Sequence, residues 1–273
     1  MRPILFQIGN FPIRSFGTMA VLGFLVSLWW VRRMADRRMK TEPEGSLRRL
    51  DPDTIGDIWV FTLLFGILGS RLLFVFLEFS TYMRQPAEIL KIWSGGMSLH
   101  GGLIGGFGYL LWVTRRRKIP LTVIGDIIAP LFAIVYAFGR VGCFLNGCCY
   151  GVACSLPWAV RFHDEKVIGA LTVPSHPTQL YGTLSSIVIF FILTRWERSP
   201  RRDGELFYGL CAMYGFYRGL VESVRAGATS DYLVPSMHLT LTHVISLVMF
   251  VVGLFGIYWL RKNRPLVTPA VAH

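Results

Sequence analysis

Charge is scarce in this sequence. Only 16% of its 273 residues are charged and 53% are hydrophobic, whereas a soluble domain carries roughly a quarter charged residues. With a mean hydropathy of +0.49 and several apolar runs near the length of a bilayer crossing, this excludes an ordinary water-soluble globule. Acid is scarcer than base, 16 Asp and Glu against 28 Lys and Arg. A pI near 9.9 would suit nucleic acid, but the bases come in short bursts between apolar runs rather than as a patch, so no nucleic-acid partner is expected. Internal repeats and low-complexity tracts are absent, which argues against a solenoid or a disordered tail. The start, MRPILFQIGNFPIRSFG, lacks a basic segment followed by an apolar core and a small-residue cleavage site, so no cleavable signal peptide is expected.

What is present is a series of apolar segments. Spans are predicted at about Ser15–Val31, Ile55–Phe79, Gly96–Thr114, Leu121–Phe138, Thr178–Trp196, Leu206–Val224 and Met237–Leu260. Asp51-Pro52-Asp53-Thr54 reads as a helix start before the second. Bases concentrate after the odd-numbered spans, at Arg32, Arg33, Arg37, Arg38, Lys40, Arg48 and Arg49, then Arg115–Lys118, then Arg195, Arg198, Arg201 and Arg202, then Arg261, Lys262 and Arg264. The opposite loops hold fewer: Arg2, Arg14, Arg84, Lys91, Arg140, Arg161 and Lys166. The heavier side is assigned to the cytoplasm, giving the N-terminus outside and the C-terminus inside. The expected fold is therefore an all-α integral membrane protein of seven transmembrane helices forming one domain. A small head, about 139–177, would lie on the outer face, which in a bacterium is the periplasmic side of the inner membrane.

The informative residues are the polar ones at membrane depth. Arg71 falls in the outer half of span two, and His100 at the outer end of span three within Gly95–Gly106. Arg218 and Glu222 are four apart and share one face of span six. Arg225 follows a turn later, and Arg140 stands at the outer end of span four. Each has a plain structural reading: an ion pair for Arg218–Glu222, an interhelical hydrogen bond for His100, snorkelling for Arg71 or Arg140. Taken together, four arginines against Glu222 leave excess positive charge at one depth, and the anion supplied there is a phospholipid phosphate. Arginine suits phosphate because its planar fork donates two hydrogen bonds and stays charged. Glycine pairs on both sides of His100 would open its imidazole to a ligand, where it could accept a proton from a thiol or hydroxyl.

Cysteine is also scarce, with five in all. Four of them, Cys143, Cys148, Cys149 and Cys154, crowd the stretch that follows span four. On an oxidising face a disulfide from Cys148 or Cys149 to Cys154 is the favoured reading, with inert thiols and a metal site as alternatives. Cys211, mid-span, reads as core.

These motifs resemble the phosphatidylglycerol:prolipoprotein diacylglyceryl transferase family over nearly the whole chain. The resemblance rests on HGGLIG at His100–Gly105, DIIAP at Asp126–Pro130 and the GRxGxFxNGxxYG frame at Gly139–Gly151. It continues with HPTQLY at His176–Tyr181 and YGFYRGLVE at Tyr214–Glu222. It implies transfer of a diacylglyceryl group from phosphatidylglycerol to the lipobox cysteine of a prolipoprotein, with release of glycerol phosphate. A monomer is expected, and the chemistry requires no cofactor and no metal. His100, Arg140 and Arg218 are the implied catalytic residues. Arg140 with Arg71, Asn146, Gly151, Tyr181, Tyr214, Glu222 and Arg225 would bind substrate. Family members commonly have Asn at Cys143, Glu at Cys148, Tyr at Phe16, Glu at Gly182 and Gln at His243. Rival readings are a paralogue using another acceptor, a membrane thiol–disulfide oxidoreductase built on the cysteines, and a non-catalytic lipid-binding scaffold.

Overall fold

In a computed structural model of the chain, residues 2–9, 11–91, 95–163, 170–199, 201–225, 232–234 and 239–266 are described. Among them, helices α1 (Ser15–Thr41), α2 (Pro52–Leu77), α4 (Leu99–Arg117), α5 (Leu121–Asn146), α6 (Thr178–Glu197), α7 (Glu205–Glu222) and α8 (Leu241–Asn263) occupy the positions of the seven predicted spans. Four of these, α1, α2, α5 and α8, are long and apolar enough to cross a membrane by length and composition. Their exposed faces carry large apolar side chains such as Phe61, Leu68, Leu72, Val248, Val251 and Phe255, as lipid-facing surfaces do. The other three long helices are diluted by glycine or by polar groups turned inward, among them Thr178, Gln179, Ser186 and Glu222. The protein is thus a helical integral membrane protein.

Element boundaries depart from the sequence reading where hydropathy and helicity part company. Asp51 caps α2 as expected, accepting from the Thr54 N–H at 2.9 Å. α1 continues to Thr41, carrying its basic cluster on the helix, because Arg and Lys are good helix formers even where they end an apolar run. α5 does not stop at Phe138 but runs on to Asn146. Two hairpins were also not anticipated: β1 (Ile4–Ile8) with β2 (Phe11–Arg14), and β3 (Tyr232–Val234) with β4 (Leu239–Thr240). The predicted start of the seventh span, Met237, and the outer-loop base Lys166 lie outside the described residues.

The chain divides into two units. One is described over Trp30–Ile124 and is built on α2 and α4, with the short helix α3 (Phe79–Arg84) and a 3-10 turn at Pro86–Leu90 between them. Its two long helices meet glycine to glycine. A Cβ on Gly102 would come 3.4 Å from the Gly66 carbonyl oxygen, and one on Gly106 would come 3.4 Å from that of Thr62. A Cβ on Gly105 would be driven into the Phe65 carbonyl and to 3.1 Å from Gly69 Cα. Such contact between backbones is what holds helices together in lipid, where burying one apolar side chain against another gives little net driving force.

The other unit, Met1–Trp29 with Gly125–Pro269, contains α5 to α8. Ala129, Ala133, Ile189, Leu193, Leu206 and Leu210 form its buried apolar centre. Asp126, from the DIIAP motif, is 1% exposed. It accepts the N–H groups of Gly204, Leu206 and Phe207 at 2.9, 2.9 and 3.2 Å, satisfying the free amides that open α7. Arg201, also 1% exposed, lies 3.8 Å from the same carboxylate. The hairpin β1–β2 anchors at the far end of α5, where the Arg2 N–H donates to the Leu145 carbonyl at 3.1 Å. α5 crosses the start of α1 at Gly142, where a Cβ would lie 3.1–3.3 Å from Phe16 and Met19.

Gly105→Leu should lower the unfolding midpoint in detergent, corresponding to about 1–3 kcal/mol of overpacking. Gly108→Leu, on the same helix but with nothing within 4 Å of its would-be Cβ, should leave the midpoint unchanged; equal shifts would refute the glycine seam.

Candidate lipid phosphate site

The extension of α5 puts the first half of the arginine–cysteine motif on a helix and the second half in a turn. Arg140 and Cys143 ride the last two turns of α5. Gly147 (φ +81°) and Cys149 (φ +63°) then bend the chain back through left-handed backbone. Left-handed geometry is costly for a non-glycine residue and persists only when its surroundings fix it. Here two fully buried side chains from the start of α6 do so. Gln179 Nε2 donates to the Cys148 carbonyl at 2.6 Å, and Thr178 Oγ1 to the Cys149 carbonyl at 2.7 Å.

Gly151 closes the turn against other backbone. Its N–H donates to the His176 carbonyl at 2.8 Å, and Val152 N–H to the Val224 carbonyl at 2.9 Å. A Cβ on Gly151 would lie 2.7 Å from His176 Cβ and 2.9 Å from Thr178 Cγ2. Only glycine fits there, and the fit pairs the turn with Arg225 through a backbone bridge. Beyond it a small head folds over Phe162, which is fully buried and stacks on Tyr150 at 4.8 Å. Tyr181 supports this head: its hydroxyl accepts from Trp158 Nε1 at 2.8 Å and pairs with His176 Nδ1 at 3.1 Å.

The arginines of this unit differ in how far their donors are used. Arg218 Nη1 lies 2.6 Å from Glu222 Oε2, with the two side chains 14% and 3% exposed. Glu222 also accepts from Thr240 Oγ1 at 3.3 Å. His243 bonds Thr240 in a capping box at the start of α8. Arg140 and Arg225 each bury an Nε with no hydrogen-bond partner among the described residues. Beside Arg140 is Gly182, where a Cβ would come 2.8 Å from that Nε and 2.7 Å from the Tyr217 hydroxyl. Any side chain at Gly182 would therefore crowd the Arg140 guanidinium. Tyr214 stands between these groups, its ring 5.4 Å from Tyr136 and 6.2 Å from Tyr217, within the fields of both Arg218 and Arg140.

All five cysteines are free thiols, which corrects the expected bridge to Cys154. The turn directs Cys148 and Cys149 back toward Cys143, whereas Cys154 is held on the head by its N–H bond to Pro174. Hydrogen bonds from the Cys143 and Cys148 thiols, reinforced by the charges of Arg225 and Arg140, hold Cys149 well below the ordinary thiol range. The exposed Asn146 lies beside Cys148 at the end of α5.

His100 and Arg71 belong to the unit of residues 30–124. His100 is exposed in the first turn of α4, a helix capped by Ser98 Oγ. Arg71 is 4% exposed, and its donors go to backbone carbonyls. Nε bonds Ile89 at 3.0 Å, Nη1 bonds Gly95 and Gly96 at 2.7 Å each, and Nη2 bonds Glu88 at 2.5 Å. Its guanidinium also lies 5.1 Å from the Tyr82 ring centre. Arg71 thus ties the carbonyls of Glu88, Ile89, Lys91, Gly95 and Gly96 to α2, a task that sequence reasoning missed because carbonyl acceptors leave no trace in residue types. The pins Thr178 and Gln179 were missed too, although two polar residues opening an apolar helix were the available signal.

Together these features define a polytopic helical membrane protein with unsatisfied arginine donors beside a glycine-built turn. The family model for prolipoprotein diacylglyceryl transferase matches residues 3–259. A phosphatidylglycerol–prolipoprotein diacylglyceryl transferase of Geobacter sulfurreducens is 36% identical over 255 residues, covering 92% of each chain. Proteins of the same name from Vibrio atlanticus and Vibrio cholerae are each 33% identical over 263 residues, covering 96% of this chain and 91% and 92% of their own. The chain belongs to the prolipoprotein diacylglyceryl transferase family.

Replacing Arg71 by Lys keeps the charge but removes most of the fork that reaches five carbonyls. The variant should lose about 1–3 kcal/mol and show faster amide exchange at residues 87–91, with exchange in α7 unchanged. Wild-type protection at residues 87–91 would refute the role given to Arg71.

Proposed function

We propose that this chain transfers the diacylglyceryl group of phosphatidylglycerol to the lipobox cysteine thiol of prolipoproteins, releasing glycerol phosphate. The observation that carries the proposal is the buried Nε of Arg140 beside Gly182, without a partner among the described residues, in a chain that aligns with such transferases over more than nine-tenths of its length. A buried guanidinium donor without an acceptor is costly, and a lipid phosphate supplies acceptor and charge together. Arg225, with the same unmet donor, would hold a second phosphate oxygen.

The chemistry requires the acceptor thiol to lose its proton, since the thiolate is the nucleophile. The thiolate attacks the glyceryl carbon, the carbon–oxygen bond to phosphate breaks, and the electron pair leaves on the phosphate. Negative charge therefore grows where the guanidinium groups of Arg140 and Arg218 are already oriented, the latter by its ion pair with Glu222. Such preorganised donors in a low-dielectric site lower the barrier by several kcal/mol. His100 is assigned the thiol's proton, and its exposure at the start of α4 supports that role. Tyr214 and Asn146 are assigned to substrate positioning. Gly151 and Tyr181 would act by shaping the turn and the head that hold Arg140 and Arg225.

All seven long helices are taken to span the membrane, with α4, α6 and α7 held by their neighbours despite their polar groups. The base distribution supports N-out and C-in orientation, the chain acting as a monomer in the inner membrane with its site toward the periplasm. A reporter active only in the periplasm should give signal when fused after Pro157 and none after Arg117 or Arg264; the reverse pattern would refute this orientation.

Expressed in a bacterium depleted of its own transferase, the chain should restore growth and lipobox lipidation. Arg140→Ala and Arg218→Ala should each cut lipidation by roughly 100-fold or more at unchanged protein level. Full lipidation by either variant, or failure of the well-expressed wild type, would refute the proposal.

A further inference from the structure

We propose that Cys143, Cys148 and Cys149 form a binding site for one thiophilic d10 metal ion, with Zn²⁺ as the reference ion. The three sulfur atoms lie within 4.8 Å of one another. A zinc–sulfur bond of about 2.3 Å in tetrahedral geometry places sulfur atoms about 3.8 Å apart. Side-chain rotation of at most about 1 Å at each sulfur therefore closes the site. A disulfide needs two of the sulfurs at about 2.05 Å, a larger displacement that leaves the third thiol unused.

The ligands are also preorganised. Cys143 sits on the last turns of α5, and its carbonyl accepts from the Gly147 and Cys148 N–H groups at 3.0 and 3.2 Å. Cys148 and Cys149 are aimed back at it by the left-handed residues Gly147 and Cys149. Gln179 and Thr178 fix the carbonyls of that turn from the protein interior. A turn held from both sides keeps its geometry through metal binding, so little ordering entropy is lost when the ion enters.

Charge is matched as well. Three thiolates and a dication leave one net negative charge, and Arg225 and Arg140 both act electrostatically on Cys149. Cys149 is exposed, so a fourth position faces outward for water or another ligand, the arrangement of three protein ligands plus one open position. Cys154 and Cys211 do not belong to this group. The site differs from the phosphate site in ligand chemistry, and its occupancy is measured without any lipid-transfer assay.

The test uses the full chain, purified in detergent with its thiols reduced, titrated with Zn²⁺ against a chromophoric chelator and separately with Co²⁺. One ion per chain is expected, and the Co²⁺ form should show thiolate-to-cobalt charge transfer with the visible bands of a tetrahedral sulfur-rich site. Cys143→Ser, Cys148→Ser and Cys149→Ser should each weaken binding by at least the roughly 10–100-fold seen on loss of an outer-shell partner. The triple variant should abolish binding, while Cys154→Ser and Cys211→Ser leave it intact. Helical circular dichroism and the unfolding midpoint of each variant separate ligand loss from misfolding. Absence of stoichiometric binding to fully reduced protein, binding that survives in a folded triple variant, or a Cys143–Cys149 disulfide in place of the ion would overturn the proposal.

Discussion

A guanidinium group removed from water must find acceptors, and that requirement orders this protein. Its arginines meet it in different ways. Arg71 spreads its donors over the carbonyls of Glu88, Ile89, Gly95 and Gly96. Arg201 lies against the buried Asp126, and Arg218 is paired with Glu222. Arg140 and Arg225 keep a buried Nε with no acceptor among the described residues. Satisfied guanidinium groups are structure, whereas unsatisfied ones are a standing demand for an anion. Within a membrane protein the nearest abundant anion is a lipid phosphate, so the transferase reading grows out of incomplete internal pairing.

The rest of the unit keeps that demand in place. Gly182 withholds a side chain that would crowd Arg140. Gly151 lets the turn lie against the chain that leads to Arg225. Thr178 and Gln179 supply internal donors to the carbonyls of a strained turn, so the strain at Cys149 is borne by two buried hydrogen bonds. The cysteines form a tight cluster beside the arginines and bring a second kind of ligand chemistry to the same turn.

Much of this architecture was legible in the residue pattern because the bilayer imposes simple rules on apolar length. The seven long helices lie where apolar runs stood, and Asp51 caps α2 as its spacing implied. Helix ends were less legible. α1 outruns its apolar segment because Arg and Lys are good helix formers, and α5 runs on because Val141, Phe144 and Leu145 resume the apolar run past Arg140. The Arg218–Glu222 pair could be read from its four-residue spacing. The use of Arg71 could not, since its partners are carbonyl oxygens that every residue possesses. Nor could the thiol cluster, because a chain reversal at Gly147 and Cys149 decides which cysteines meet.

We propose that Arg140 and Arg225 bind the phosphate of a lipid whose diacylglyceryl group then moves to a thiol. The most direct measurement incubates the purified chain with phosphatidylglycerol vesicles and a synthetic lipobox peptide, and follows the peptide by mass spectrometry. The expected result is a peptide heavier by one diacylglyceryl group on its cysteine, one glycerol phosphate released per peptide modified, and a rate strongly reduced by Arg140→Lys, which keeps the charge but loses the fork. An unmodified peptide with folded wild-type protein, or a rate indifferent to the Arg140→Lys change, would contradict it.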